Sequence, residues 1–185
     1  MPALETSRGT TGSRVKSVMS SRGRFAAILD LENVAIARDG RVSQNEMQLL
    51  LSAIEAQVSC MPVRVATGVN VLRAYSGLIG LQQWGLTLVR TEPDAADKAL
   101  CDAAHDFISC GITDIIVVSG DHAFVPLAAH ARLHVISHAD HLSKALHLAA
   151  TTVTHLPDFR PTVRAAVHKS RFPHPRADEP ARLSV

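Results

Sequence analysis

Between residues 24 and 158 the apolar positions follow two alternating rhythms. Short runs are apolar at nearly every position, and longer stretches are apolar every third or fourth residue. The short runs predict strands at Arg24–Leu29 (RFAAIL), Pro62–Thr67 (PVRVAT), Leu86–Arg90 (LTLVR), Asp114–Val118 (DIIVV), Leu133–Ser137 and Thr152–Leu156. The longer stretches predict helices. Ser43 stands where a cap would, ahead of Asn45–Val58 with Met47, Leu50, Leu51 and Ile54 on one face. A second helix covers Leu72–Trp84 and stops at Gly85. Asp94 reads as the cap of a third over Ala95–Cys110, with Gly111 in a Schellman-like position. Shorter helices are expected near Ala123–Ala131 and over Leu142–Ala150. Strand and helix alternate throughout, and strands this continuously apolar need helices on both faces, so the pattern predicts an α/β protein with a mainly parallel sheet.

Sites in such sheets form beyond the carboxyl ends of the strands, so the residues at those exits carry the functional information. The first strand runs into Asp30-Leu31-Glu32-Asn33, the fourth into Ser119-Gly120-Asp121, and the third is followed by Glu92, Asp94 and Asp97. If the first and fourth strands are neighbours, Asp30 and Asp121 stand side by side with Asp97 pointing back at them. Two like charges about 4 Å apart cost on the order of 1 kcal/mol in water and about 4 at an effective dielectric of 20. A hard divalent cation, Mg²⁺ or Mn²⁺, relieves that repulsion and prefers oxygen ligands. Each acid also has a plainer role: Asp30 as a strand end, Asp97 as a first-turn carboxylate facing the helix dipole, Asn33 as a turn residue. Asp102 lies about 140° round the helix from Asp97 at roughly 100° per residue, which makes it the weaker ligand candidate. His122, beside Asp121, is a candidate phosphate contact.

Charge sharpens this picture. The formal net charge is +2 over 185 residues. Residues 1–24 carry five Lys/Arg against one acid, and residues 160–185 carry six against two, which leaves an acidic middle of 8 basic and 14 acidic residues. A basic tail at 1–23, a domain at 24–158 and a basic, Pro-containing tail at 159–185 follow. Such arms can hold a phosphate backbone or simply solubilise an acidic domain. No run of roughly 18 uncharged apolar residues is present, so no membrane span is expected. The N-terminus has no apolar signal core, and three cysteines without a CxxC pair read as free thiols, so a cytoplasmic protein is expected.

The combination of Asp30-x-x-Asn33, Ala96-Asp97, Val117-Val118-Ser119-Gly120-Asp121 with Phe124 and Pro126-Leu127, and Leu142-Ser143-Lys144-Ala145-Leu146 before the last strand resembles NYN domains. These are the LabA-like branch of the PIN-like nucleases, and the resemblance spans roughly residues 24–158. It implies a Rossmann-like three-layer αβα sandwich and a divalent-metal-dependent ribonuclease acting on RNA. By position, Asp30, Asp97 and Asp121 look like the metal-binding and catalytic acids. Asn33 and Ser119 look like polar residues that orient the acids or contact substrate, with His122 beside them. Two positions depart from the family: Ala123 stands where many members have a second acid, and Glu92, Pro93 and Asp94 occupy an approach that is often basic. The first departure keeps open a module that binds RNA without cutting it. A homodimer is a further option.

Other chemistries lack support. No GxGxxG or GxxxxGK[ST] follows the first strand, so the dinucleotide and P-loop readings lose their main support. An aspartyl-nucleophile phosphatase wants a second Asp two residues after Asp30, where Glu32 stands. Ten histidines invite zinc, but His134, His138 and His141 do not have structural-zinc spacing and read as surface or helix-face residues. Aromatics at 4% offer a poor platform for base stacking, so RNA contacts should be mostly electrostatic.

Overall fold

The computed structural model describes residues 24–37, 40–90 and 92–159. The expected basic tails lie outside these, except Phe159, which packs against the core one residue past the expected domain boundary. The elements in chain order are β1 (Phe25–Asp30), α1 (Leu31–Ala35), β2 (Ile36–Ala37), β3 (Gly40–Arg41), α2 (Gln44–Val58), β4 (Val63–Gly68), α3 (Val69–Ile79) and β5 (Gly85–Val89). Then follow α4 (Ala95–Ser109), β6 (Asp114–Val118), a 3-10 helix (His122–Ala129), β7 (Arg132–Ser137), α5 (Lys144–Ala149) and β8 (Thr152–His155).

Six strands form one sheet in the order β5-β4-β1-β6-β7-β8, and every pairing in it is parallel. Counted along that sheet alone the order is 3-2-1-4-5-6, the doubly wound arrangement whose direction reverses between β1 and β6. The period-2 alternation of the strands divides the core. Leu29, Val65 and Val118 face α1, α2 and α3, packing on Leu31, Met47, Leu50, Ile54 and Tyr75. Ile28, Val117 and Val135 face the other way, against Leu100 of α4, Phe124 and Leu127 of the 3-10 helix and Leu146 of α5. The result is a Rossmann-like three-layer α/β sandwich.

Local chemistry explains most boundaries. Ser43 accepts the Glu46 N–H while the Glu46 carboxylate accepts the Ser43 N–H at 2.7 Å, a complete capping box. Gly111, at φ +87°, closes α4 as expected, with Gly111 N–H on Ile108 O and Ile112 N–H on Phe107 O. Three expectations need correction. The helix placed at Leu72–Trp84 begins directly from β4 at Val69 and its cap residue is Gly80, not Gly85. The helix expected near Ala123–Ala131 is 3-10, a short element in which Pro126 has no N–H to give to an α-helical ladder. The residues after β1 form α1, where a turn was expected. Among the described residues no helix is long and apolar enough to cross a membrane.

Candidate active site

The carboxyl ends of β1, β4, β5 and β6 open into a cleft of about 320 Å³ at the reversal in strand order. Asp30, Glu32, Glu92, Asp94, Asp97 and Asp121 all line it, together with Arg90 and the start of α3. The three acids singled out in the sequence thus share one cleft, delivered by β1, the first turn of α4 and the loop after β6. Asp102 is exposed on α4 and does not line it.

Asp30 is the N-cap of α1: its Oδ1 accepts the N–H groups of Glu32 (3.0 Å) and Asn33 (3.2 Å). Its Oδ2 accepts the Ser119 hydroxyl at 3.3 Å, and the Ser119 oxygen in turn accepts the Asp121 N–H. Asn33 Oδ1 accepts the Gly120 N–H at 3.0 Å. The two sequence motifs, 87 and 89 residues apart across these bonds, are therefore one interlocked unit. Ser119 is 1% exposed, so its hydroxyl positions Asp30 and Asp121 and is no direct substrate contact. The Asn33 amide oxygen has the corresponding role toward Gly120. Only glycine fits at 120, because a Cβ there would stand 2.3 Å from the His141 carbonyl oxygen. Asp121 Oδ1 accepts the Ala123 N–H at 2.8 Å and lies 3.0 Å from His122 Nδ1. His122 itself is exposed, at the rim where a phosphate could meet it.

The electrostatics follow from burial and crowding. Burial pushes the Asp30 carboxyl up to about 6, the charges of Asp97 and Glu32 push the same way, and the Asn33 and Glu32 amides pull against them. The Asp97 carboxyl is also raised, first by desolvation and then by Asp121 and Asp94. Among the described residues no Lys or Arg pairs with Asp30, Asp97 or Asp121. Asp94 stands at the N-cap position of α4, as expected, but its side chain does not cap it. It sits in the left-handed region at φ 57° with no side-chain cap bond, and joins the carboxylates of the cleft.

Sequence reasoning named Glu32 only to exclude a phosphatase, yet its Oε1 accepts the Gly68 N–H at 2.9 Å and ties the end of β1 to the start of α3. The Asp-x-Glu spacing at a strand exit was the available signal. The histidines also move. His134, on β7, bonds the buried Asp114, and His138 is buried with Nε2 3.2 Å from the Val34 carbonyl, so neither is a surface residue.

Among the described residues no three His, Cys, Asp or Glu side chains stand close enough to enclose a bare ion. The cleft nevertheless gathers six carboxylates with no Lys or Arg paired to them among the described residues, and two of them, Asp30 and Asp97, are raised chiefly by burial and further by their neighbours' charge. Those properties fit Mg²⁺ or Mn²⁺ held through one or two carboxylates with much of its water retained.

Fold and cleft together define an α/β protein with its site at the switch point of a doubly wound sheet. No protein-family model matches the chain, and no curated protein matches it. A crystallised protein of unknown function from Vibrio parahaemolyticus is similar at a TM-score of 0.55 and 15% identity, covering 75% of this chain and 96% of that one. At that identity the likeness shows the fold.

Proposed function

We propose that this protein is a divalent-metal-dependent ribonuclease of the NYN type. The observation that carries the reading is the meeting of Asp30, Asp97 and Asp121, from three separated chain segments, in one open cleft where, among the described residues, no Lys or Arg is paired with them. A bound Mg²⁺ or Mn²⁺ would supply Lewis-acid polarisation of the phosphodiester and a water of lowered pKa. Asp30, Asp97 and Asp121 would hold that ion, one or two of them directly and the rest through its retained water. Ser119 and Asn33 fix the backbone and carboxylates around it, and His122 stands at the rim to contact a substrate phosphate. The resemblance of Asp30-x-x-Asn33 and Ser119-Gly120-Asp121 to NYN motifs supports RNA as the substrate.

The test is incubation of an end-labelled single-stranded RNA with the full chain and Mg²⁺ or Mn²⁺. Products that vanish on adding EDTA are expected. Ala123 favours a second reading, since it contributes an N–H to Asp121 and no oxygen to the cleft. Saturable RNA binding with no products under either metal would establish that reading and refute the first.

A further inference from the structure

The cleft poses a problem for the reading just given: RNA is a polyanion, and six carboxylates line the place where it must sit. A bound cation would neutralise charge near Asp30, Asp97 and Asp121. It leaves the neighbouring phosphates of the strand facing Glu92 and Asp94. Among the described residues Arg90 is the single basic residue lining the cleft, directly after β5, and it is exposed. Despite the surrounding acids it makes no ion pair among the described residues. Its charge is therefore free for a ligand.

The sheet order fixes where that ligand would lie. Asp121 follows β6, Asp30 ends β1, Gly68 ends β4 and Arg90 follows β5, four neighbouring strands in that sequence. At about 4.8 Å per strand, Arg90 is displaced from Asp121 by roughly 14 Å across the sheet. That places Arg90 at the β5 side of the cleft and Asp121 at its β6 side. A guanidinium binds phosphate oxygens through paired N–H groups and stays charged at any working pH.

We propose that Arg90 is a positioning residue that grips an RNA phosphate beyond the reacting linkage, so that the substrate is a polyribonucleotide strand and not a dinucleotide. The inference rests on the ribonuclease reading, or on its RNA-binding variant.

The experiment compares wild type with Arg90→Ala and Arg90→Lys on a labelled oligouridylate and on a uridylyl dinucleotide. KM and kcat are measured with Mg²⁺, and binding is measured in EDTA over a salt series. Arg90→Ala should raise KM for the oligonucleotide about tenfold, as loss of a charge-assisted bond does, with kcat essentially kept. It should flatten the plot of log affinity against log salt by about 0.7, and Arg90→Lys should restore that slope. The dinucleotide should respond to neither change. Unchanged KM and salt slope, or an equal kcat loss on both substrates, would overturn the role of Arg90 while leaving the ribonuclease standing. A wild-type protein that neither binds nor cuts the oligonucleotide would overturn the functional reading itself, and the inference with it.

Discussion

Replacing Asp30 with asparagine is expected to give a protein that is more stable than wild type and unable to cut RNA. Asp30 is 6% exposed and its carboxyl is pushed up to about 6, so ionising it at neutral pH works against the fold. The sign follows from proton linkage. A carboxyl whose folded value exceeds its unfolded one binds more protons in the native state, so stability falls as pH rises from about 4 to about 6 and stays low above that. Asparagine removes the charge and keeps the oxygen that caps α1. The gain at pH 7, the removed charge less the Ser119 bond that an amide nitrogen cannot accept, should be about 2 kcal/mol, or about 4–8 °C in melting temperature for a chain of this size. Cleavage should fall by more than about a hundredfold, since loss of a residue that merely supports a metal ligand already costs 10–100-fold. Thermal melts in EDTA at pH 5 and pH 7, with cleavage assays beside them, check both halves. A variant that is less stable, or that still cleaves, contradicts the role given to Asp30.

The second large effect lies at the opposite edge of the sheet. Asp114, 1% exposed at the start of β6, takes two bonds from Arg132 (both 2.7 Å), one from the Thr113 hydroxyl (2.7 Å) and lies 3.0 Å from His134 Nε2. The Arg132 bonds above all hold its carboxyl well below the usual carboxylate range. Arg132→Met strips the main partner from the buried Asp114 carboxylate, which destabilises the fold. The Arg132 side chain is 61% exposed, so water replaces part of what is lost. Because the folded value is depressed, this stabilisation is fully present above about pH 4 and fades as pH falls below it. Urea unfolding should therefore show a loss of stability at pH 7 that shrinks in acid, with cleavage per folded molecule unchanged. A pH-independent loss, or none, would contradict the assignment.

Much of this arrangement was legible in the sequence because it is locally encoded. The run DIIVV gives β6 with the same bounds, Ser43 marks the cap of α2, and Gly111 supplies the left-handed residue that ends α4. The convergence of Asp30, Asp97 and Asp121 could be anticipated because parallel strands send their carboxyl ends to one edge. What escaped was set by partners distant in sequence or by missing signals. Helix α1 is only five residues long and depends on the Asp30 side chain as its cap. Helix α3 starts with no capping side chain at Gly68, so nothing marks its first residue. Asp94 has a residue type suited to a cap, but its left-handed backbone turns it into the cleft wall. The pairing of Asp114 with Arg132 and His134 bridges adjacent strands, a register no local pattern encodes.

The central claim is that acids from separated strand ends jointly hold a divalent cation. Anomalous scattering from a crystal of the full chain soaked in Mn²⁺ tests it most directly. A peak in the cleft, within direct or single-water reach of Asp30, Asp97 and Asp121 and lost in Asp30→Asn, is the predicted result. Manganese bound elsewhere, with the cleft empty at saturating metal, would contradict it.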